Sequence, residues 1–294
     1  MMPENGTGRP VVVGVTRSGS SRPALVWAAK EARLRHLPLE ILHSQEWPPG
    51  MLRRAASDRP AELWATQFRA AGQAVLDEAL REESARVPGL RVSTRLAEGR
   101  PAQVLREAAD HASMLVLGTR PAGFEQLLSP GGVGPALVGH LPCPLALVRH
   151  PEAGAGAGVQ EGTGPVVVGI DGSPGAARAA RFAFEEAALR GTDLLAVEVL
   201  PRSDTAVEGV VEEGSAEISE ALAGQGERFP EVKVRHEVLS GRPAIVLTRA
   251  ATGAQCLVVG SRGRGGFRGM LLGSTGRTLV HSARCPLVVV PAGE

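Results

Sequence analysis

The residues best suited to chemistry cluster near the C-terminus, in GSRGRGGFRGMLLGST at 260–275. Two readings of this stretch compete. Arg262, Arg264 and Arg268 among glycines look like a fragment of an Arg-Gly-Gly tract that would lie along RNA. The whole length reads instead as a folded loop that offers backbone amides to a phosphate. In this reading Gly260, Gly263 and Gly273 are expected to adopt positive φ and let the main chain approach a ligand closely. Gly273 and Ser274 are predicted to open a helix, whose first amides and dipole favour an anion. Ser274 and Thr275 add hydroxyl donors. From Val238 to Gly293 there are seven arginines and no Asp or Glu, so the local field is positive although the formal net charge is only +1. RNA-binding tracts of the first kind are long, disordered repeats. This one is short and lies between an apolar run and a helical pattern, so nucleic acid is not the expected partner.

Other chemistries lack their residues. There is no G-x-x-x-x-G-K-[ST], and no G-x-G-x-x-G follows the first apolar run, which excludes a P-loop and a dinucleotide fingerprint. H-E-x-x-H and G-x-S-x-G are missing as well, and the seven histidines are scattered. Cys143, Cys256 and Cys285 have no metal-ligand spacing and lie beside apolar runs, as small buried hydrophobes in a reducing compartment do. Neither a catalytic residue nor a protein-held metal is expected. No apolar run approaches the ~20 residues needed to span a bilayer, and the polar start MMPENGTGRP has no hydrophobic stretch of signal-peptide length. The expected location is the cytoplasm, with no membrane partner.

A loop of this kind needs a scaffold, and the sequence supplies one twice. VVVGVTRS at 11–18 returns as VVVGIDGS at 166–173, 155 positions on. LPLEILHS at 37–44 falls on TDLLAVEV at 192–199 with the same offset. GRPAQVL at 99–105 and CPLALV at 143–148 return as GRPAIVL at 241–247 and CPLVVV at 285–290, now 142 positions on. The first copy therefore carries thirteen extra residues between about 45 and 90, around QEWPPGMLRRAASDRP. Between the copies, PEAGAGAGVQEGTG at 151–164 reads as a flexible linker reaching roughly 20 Å. The expected domains are 9–150 and 165–292.

In the second copy, PVVVGI is a predicted strand. Ser173 is the expected N-cap of a helix with Pro174 in its first turn and an apolar face of Ala180, Ala183, Phe184, Ala187 and Ala188, stopped at Gly191. LLAVEVL, VKVRHEVL, CLVVG and PLVVVP are further strands, with helical segments at about 212–223, 243–251 and 274–283 between them. Aromatics are scarce, with no Tyr and three Trp, so the cores must be aliphatic. Continuous aliphatic strands alternating with helices argue for an α/β protein with parallel, doubly wound sheets.

Gly260, Gly263, Gly273 and Ser274 fit G-x-x-G-x₉-G-[ST] without a gap. Together with VVVGIDGS and CPLVVV, in this order and duplicated, they make the chain resemble a tandem universal stress protein over nearly its full length. The resemblance implies two five-stranded parallel sheets of order 3-2-1-4-5 with helices on both faces. In that order strands one and four meet where the winding reverses, and ligands favour that crevice. It further implies an ATP-binding regulatory protein of the stress response. ATP would be held by the second domain, with any Mg²⁺ bound mainly by the phosphates. Asp171 would stand by the nucleoside, facing the glycine loop, and Val199 would offer its backbone to adenine. A turn-forming role for Asp171 and a core role for Val199 are the alternatives.

The first copy departs from the pattern at the chemistry. Thr16 replaces Asp171, Pro121 replaces the second loop glycine, and Gly131–Gly132 replaces Gly-Ser. Proline removes an N–H and fixes φ, so this copy is expected to be nucleotide-free. The acid common before strand four in the family is Ser113 here and Gln255 in the second copy. The fifth strands, PLALV at 144–148 and PLVVV at 286–290, are expected to pair within one chain, and a homodimer of chains is open. Two other functions compete, a slow ATPase or phosphotransferase using the same site and a nucleotide-free interaction module.

Overall fold

The computed structural model describes residues 8–47, 59–119, 137–139, 141–150, 162–200, 216–263 and 273–292. The chain divides into two compact units, 1–137 and 138–294. In the first, β1 (Val11–Gly14), α1 (Arg22–Leu34), β2 (Leu39–Gln45), α2 (Arg59–Arg86), β3 (Val92–Glu98), α3 (Pro101–Ala109) and β4 (Met114–Thr119) alternate strand with helix. β1 pairs in parallel with both β2 and β4, and β2 with β3, giving the order 3-2-1-4.

The second unit contains β5 (Leu145–Arg149), β6 (Val166–Ile170), α4 (Pro174–Arg190), β7 (Leu194–Leu200), a helical stretch at 216–222, and α5 (Gln225–Arg228). Then follow β8 (Val234–Ser240), α6 (Pro243–Ala250), β9 (Cys256–Gly260), α7 (Ser274–Ser282) and β10 (Leu287–Val290). β6 pairs in parallel with β7 and β9, β7 with β8, and β9 with β10. The five strands of the second repeat thus run 3-2-1-4-5. β10 also pairs with β5, antiparallel, with Leu287 opposite Leu147 and Val288 opposite Ala146.

The strands form where aliphatic residues are continuous, because helices cover both faces of a parallel sheet. Val11–Val13, Val166–Val168 and Cys256–Val258 are fully buried. β8 differs: Arg235, His236 and Glu237 are exposed, as suits an outer strand. The α4 boundaries follow their sequence signals. Ser173 Oγ accepts from the Ala176 amide at 3.1 Å, Pro174 opens the first turn, and Gly191 ends the helix in the left-handed region at φ 60. Four of the five expected apolar-face residues are buried; Ala188 is only half-buried.

Each repeat also buries an acid in its first helix. Glu31 and Glu186, 155 positions apart, are both 0% exposed. Glu31 pairs with Arg35, and Glu186 with Arg190 at 2.8 Å. A buried carboxylate needs such a partner.

Candidate functional site

The site is built where β6 and β9, neighbours at the reversal of winding, end side by side. Val168 pairs with Val258, so Asp171 and Ser261 stand three residues beyond the same rung. Gly172 takes φ 68 and turns the chain from β6 toward α4. The Ser173 amide donates to Asp171 Oδ1 at 3.1 Å, which makes the Asx-type turn that the sequence allowed. The other oxygen, Oδ2, occupies the space where a Cβ on Gly263 would stand. Asp171 therefore does both things at once: one oxygen shapes the turn and the other lies against the glycine loop.

Three further contacts lock the loop to α4. Ser173 Oγ donates to the Arg262 carbonyl at 3.3 Å while capping the helix. A Cβ on Gly175 would come within 2.7 Å of that carbonyl, and one on Gly260 within 2.8 Å of the Gly175 carbonyl carbon. Glycines thus let strand, loop and helix start touch backbone to backbone. On the other side, the Gly273 amide donates to the Ser261 carbonyl at 3.2 Å. Gly273 is the N-cap of α7, and Ser274 and Thr275 form its first turn. Arg262 and Ser274 are exposed, and Thr275 is half-buried. Arg264 and Arg268 lie outside the described residues.

One expectation about the glycines is overturned. Gly260, Gly263 and Gly273 are absent from the positive-φ residues, and Gly273 has φ −60. Glycine is needed at 260 and 263 for lack of a side chain. At 273 the nearest atom among the described residues, the Gly263 nitrogen, would be 4.0 Å from a Cβ, so neither reason applies there among the described residues.

Val199 is half-buried near the end of β7, opposite Leu239 of β8. The β6–β7 ladder ends at Ile170 opposite Glu198, so Val199 is the first β7 residue past β6, abreast of Asp171. Sequence reasoning missed Gly175, whose signal was a poor helix former in the first turn. It also missed Ser261, which is 1% exposed with an Oγ that has no hydrogen-bond partner. Nothing in the sequence distinguishes this serine from a solvated one. Among the described residues, no group of three His, Cys, Asp or Glu side chains could hold a metal.

The first repeat keeps the scaffold and changes the chemistry. A Cβ on Gly118 would come within 2.9 Å of Ser21 Cα, the same close approach as at Gly260. Thr16, in the place of Asp171, shares hydrogen bonds of 3.0 and 3.2 Å with the hydroxyls of Ser18 and Ser20. Ser44, in the place of Val199, donates to the Gly99 carbonyl at 2.9 Å. Beyond it, buried Gln45 donates to the Phe68 carbonyl at 2.9 Å and lies where a Cβ on Gly72 would go, so α2 presses onto the end of β2. Trp47 packs on Phe68 at 4.9 Å, beneath Arg69, which pairs with Glu98 at 2.6 Å. The Arg69 hydrogen bond holds the Glu98 carboxyl below its ordinary pKa. Pro121, Gly131 and Gly132 lie outside the described residues.

These features define a class: a tandem, doubly wound α/β protein with a glycine loop facing a carboxylate at one switch point. The universal stress protein family profile matches residues 8–149 and again 163–291, and the chain belongs to that family. A universal stress protein of Mycolicibacterium smegmatis is 35% identical over 300 residues, covering 98% of this chain and 99% of its own. One from Mycobacterium tuberculosis H37Rv is 34% identical over 293 residues, covering 95% and 96%. Among solved structures, a universal stress protein from Archaeoglobus fulgidus matches with a TM-score of 0.69 over 98% of each chain at 17% identity, a likeness of fold.

Proposed function

We propose that the protein is a regulatory, cytoplasmic stress-response protein that binds one ATP per chain in its second repeat. The observation that carries this reading is Asp171 Oδ2 set against Gly263 across the β6–β9 crevice. The adenosine lies toward Asp171 and the Val199 backbone. The phosphates lie toward Gly260, Arg262, Gly263, Gly273, Ser274 and Thr275, where the α7 amides and the local excess of arginine favour an anion. Any Mg²⁺ is held mainly by the phosphates themselves.

The first repeat, 9–150, serves as a nucleotide-free copy. Thr16 supplies no carboxylate, and α2 covers the end of β2 through Gln45 and Phe68. Pairing of the two repeats through their fifth strands is part of the same reading, supported by the antiparallel β5–β10 ladder.

Calorimetric titration of the full chain with ATP is expected to give one site, and Asp171→Thr, the residue found in the first repeat, to weaken it about tenfold, near the worth of one charge-assisted contact. Two equivalent sites, or none, would overturn the reading.

A further inference from the structure

The outer strand of a sheet presents a row of unpaired amides and carbonyls, which invites another strand unless charge or cover prevents it. β8 is the outer strand of the second repeat and pairs with β7. The ends of that ladder fix which backbone groups point outward. The Leu194 amide donates to the Lys233 carbonyl at 2.9 Å, and the Gly241 amide donates to the Leu200 carbonyl at 3.0 Å. Odd-numbered residues between them therefore face β7, and Val234, His236 and Val238 turn amide and carbonyl away from it. Arg235, His236 and Glu237 are consecutive and all exposed. Successive side chains point to opposite faces, so both faces of the strand are open at its centre. Val234 and Val238 on either side are half-buried. The outer strand of the first repeat is different. There, Arg95 of β3 pairs with Glu40 at 2.7 Å and Glu98 with Arg69 at 2.6 Å. Arg235 and Glu237 have no such ion pair among the described residues.

We infer that β8 is a self-association edge, occupied by β8 of a second copy of the chain in antiparallel pairing centred on His236. Charge decides the occupant. Charges on an outer strand ordinarily keep other strands away. Here their order is self-complementary under a twofold axis through His236. The axis sets Arg235 opposite the partner's Glu237 and Glu237 opposite the partner's Arg235, while Val234 meets the partner's Val238. The backbone agrees with this register. His236 and the two valines are the residues whose amides and carbonyls point outward, so they form the hydrogen-bonded rungs. Arg235 and Glu237 fall on the rungs between, where facing side chains come closest. Opposite charges stabilise such a rung and like charges weaken it. The same surface serves both copies, so the contact closes at a dimer. It does not rest on the nucleotide-binding reading.

Sedimentation velocity of the full, ligand-free chain over a concentration series is expected to show a monomer–dimer equilibrium. Arg235→Glu sets like charges against each other on both rungs beside His236, and is expected to weaken the dimer about tenfold. Glu237→Arg should do the same. The exchange variant Arg235→Glu/Glu237→Arg restores opposite charges across the axis, and is expected to recover association to within about threefold. Hydrogen exchange gives a second readout: the outward amides of His236 and Val238 should exchange more slowly as wild-type concentration rises. A wild type that stays monomeric at every concentration overturns the inference and leaves the edge to an extended segment of another protein. A dimer indifferent to both single substitutions puts the contact on another surface and overturns it as well. Single variants that dissociate, with an exchange variant that does not reassociate, refute the antiparallel register.

Discussion

Asp171 shows how one side chain can serve fold and site together. Its Oδ1 accepts from the Ser173 amide, and its Oδ2 fills the space beside Gly263. A side chain at 263 must displace that carboxylate. Gly263→Ala is therefore expected to weaken ATP binding at least tenfold, with little change in melting temperature because Gly263 is only half-buried and the strain is local. Calorimetry of Gly263→Ala and of Gly263→Ala/Asp171→Ala separates the cause. If the collision is the cause, the alanine at 263 costs nothing further once Asp171 is gone. Cys285 carries a different residue-scale consequence. Burial pushes its thiol from 9.0 up to about 12. Its folded pKa lies above the unfolded one, so the stability it contributes is complete below pH 9 and is lost as pH rises toward 12. At pH 10 the loss is on the order of 1 kcal/mol. Denaturant melts at pH 8 and pH 10 should show wild type losing that much more than Cys285→Ala; equal losses would refute it.

At the scale of elements, α4 does most of the positioning. Its capping Ser173 reaches the Arg262 carbonyl, and its Gly175 abuts both that carbonyl and Gly260, so the helix start packs directly on the backbone of 260–262. The far end of the helix is held by the Glu186–Arg190 pair, with side chains 0% and 3% exposed. Truncating one partner of a buried pair strands a charge and costs about 3 kcal/mol or more. Arg190→Ala is expected to destabilise the protein by that order. Arg35→Ala, whose side chain is 17% exposed beside Glu31, should cost less. Urea melts of the two variants measure the order, and the reverse ranking would contradict it. The helices were readable in advance because caps and aliphatic periodicity are local. The Gly175–Gly260 contact was not, since it joins residues of two separate elements.

For the whole molecule, charge sets what it binds unspecifically. A net charge of +1 gives no general attraction to polyanions, and the arginines of 238–293 are a local excess. RNA is expected to bind only weakly, and to lose most of that binding between about 50 and 200 mM salt, as contacts to a few phosphates do. Filter binding at several salt concentrations checks this. Tight, sequence-selective binding at 150 mM salt would restore the RNA reading of the glycine-arginine stretch. Among the described residues no helix is long and apolar enough to cross a membrane.

The sequence by itself determined the tandem repeat, the alternation of aliphatic strands with helices, the ends of α4 at Ser173 and Gly191, and the residues that make up the loop. Each of these follows from periodicity, capping chemistry or self-similarity, which act over a few residues or repeat along the chain. Only the tertiary structure decided what the glycines are for, because a Cβ collision depends on a neighbour remote in sequence, as with Ser173 and Arg262, which are 89 positions apart. It also decided that α2 covers the end of β2 in the first repeat through Gln45 and Phe68. It left Ser261 buried without a partner, and that too lies beyond sequence reasoning. Whether a serine is solvated, satisfied or orphaned depends on what packs around it.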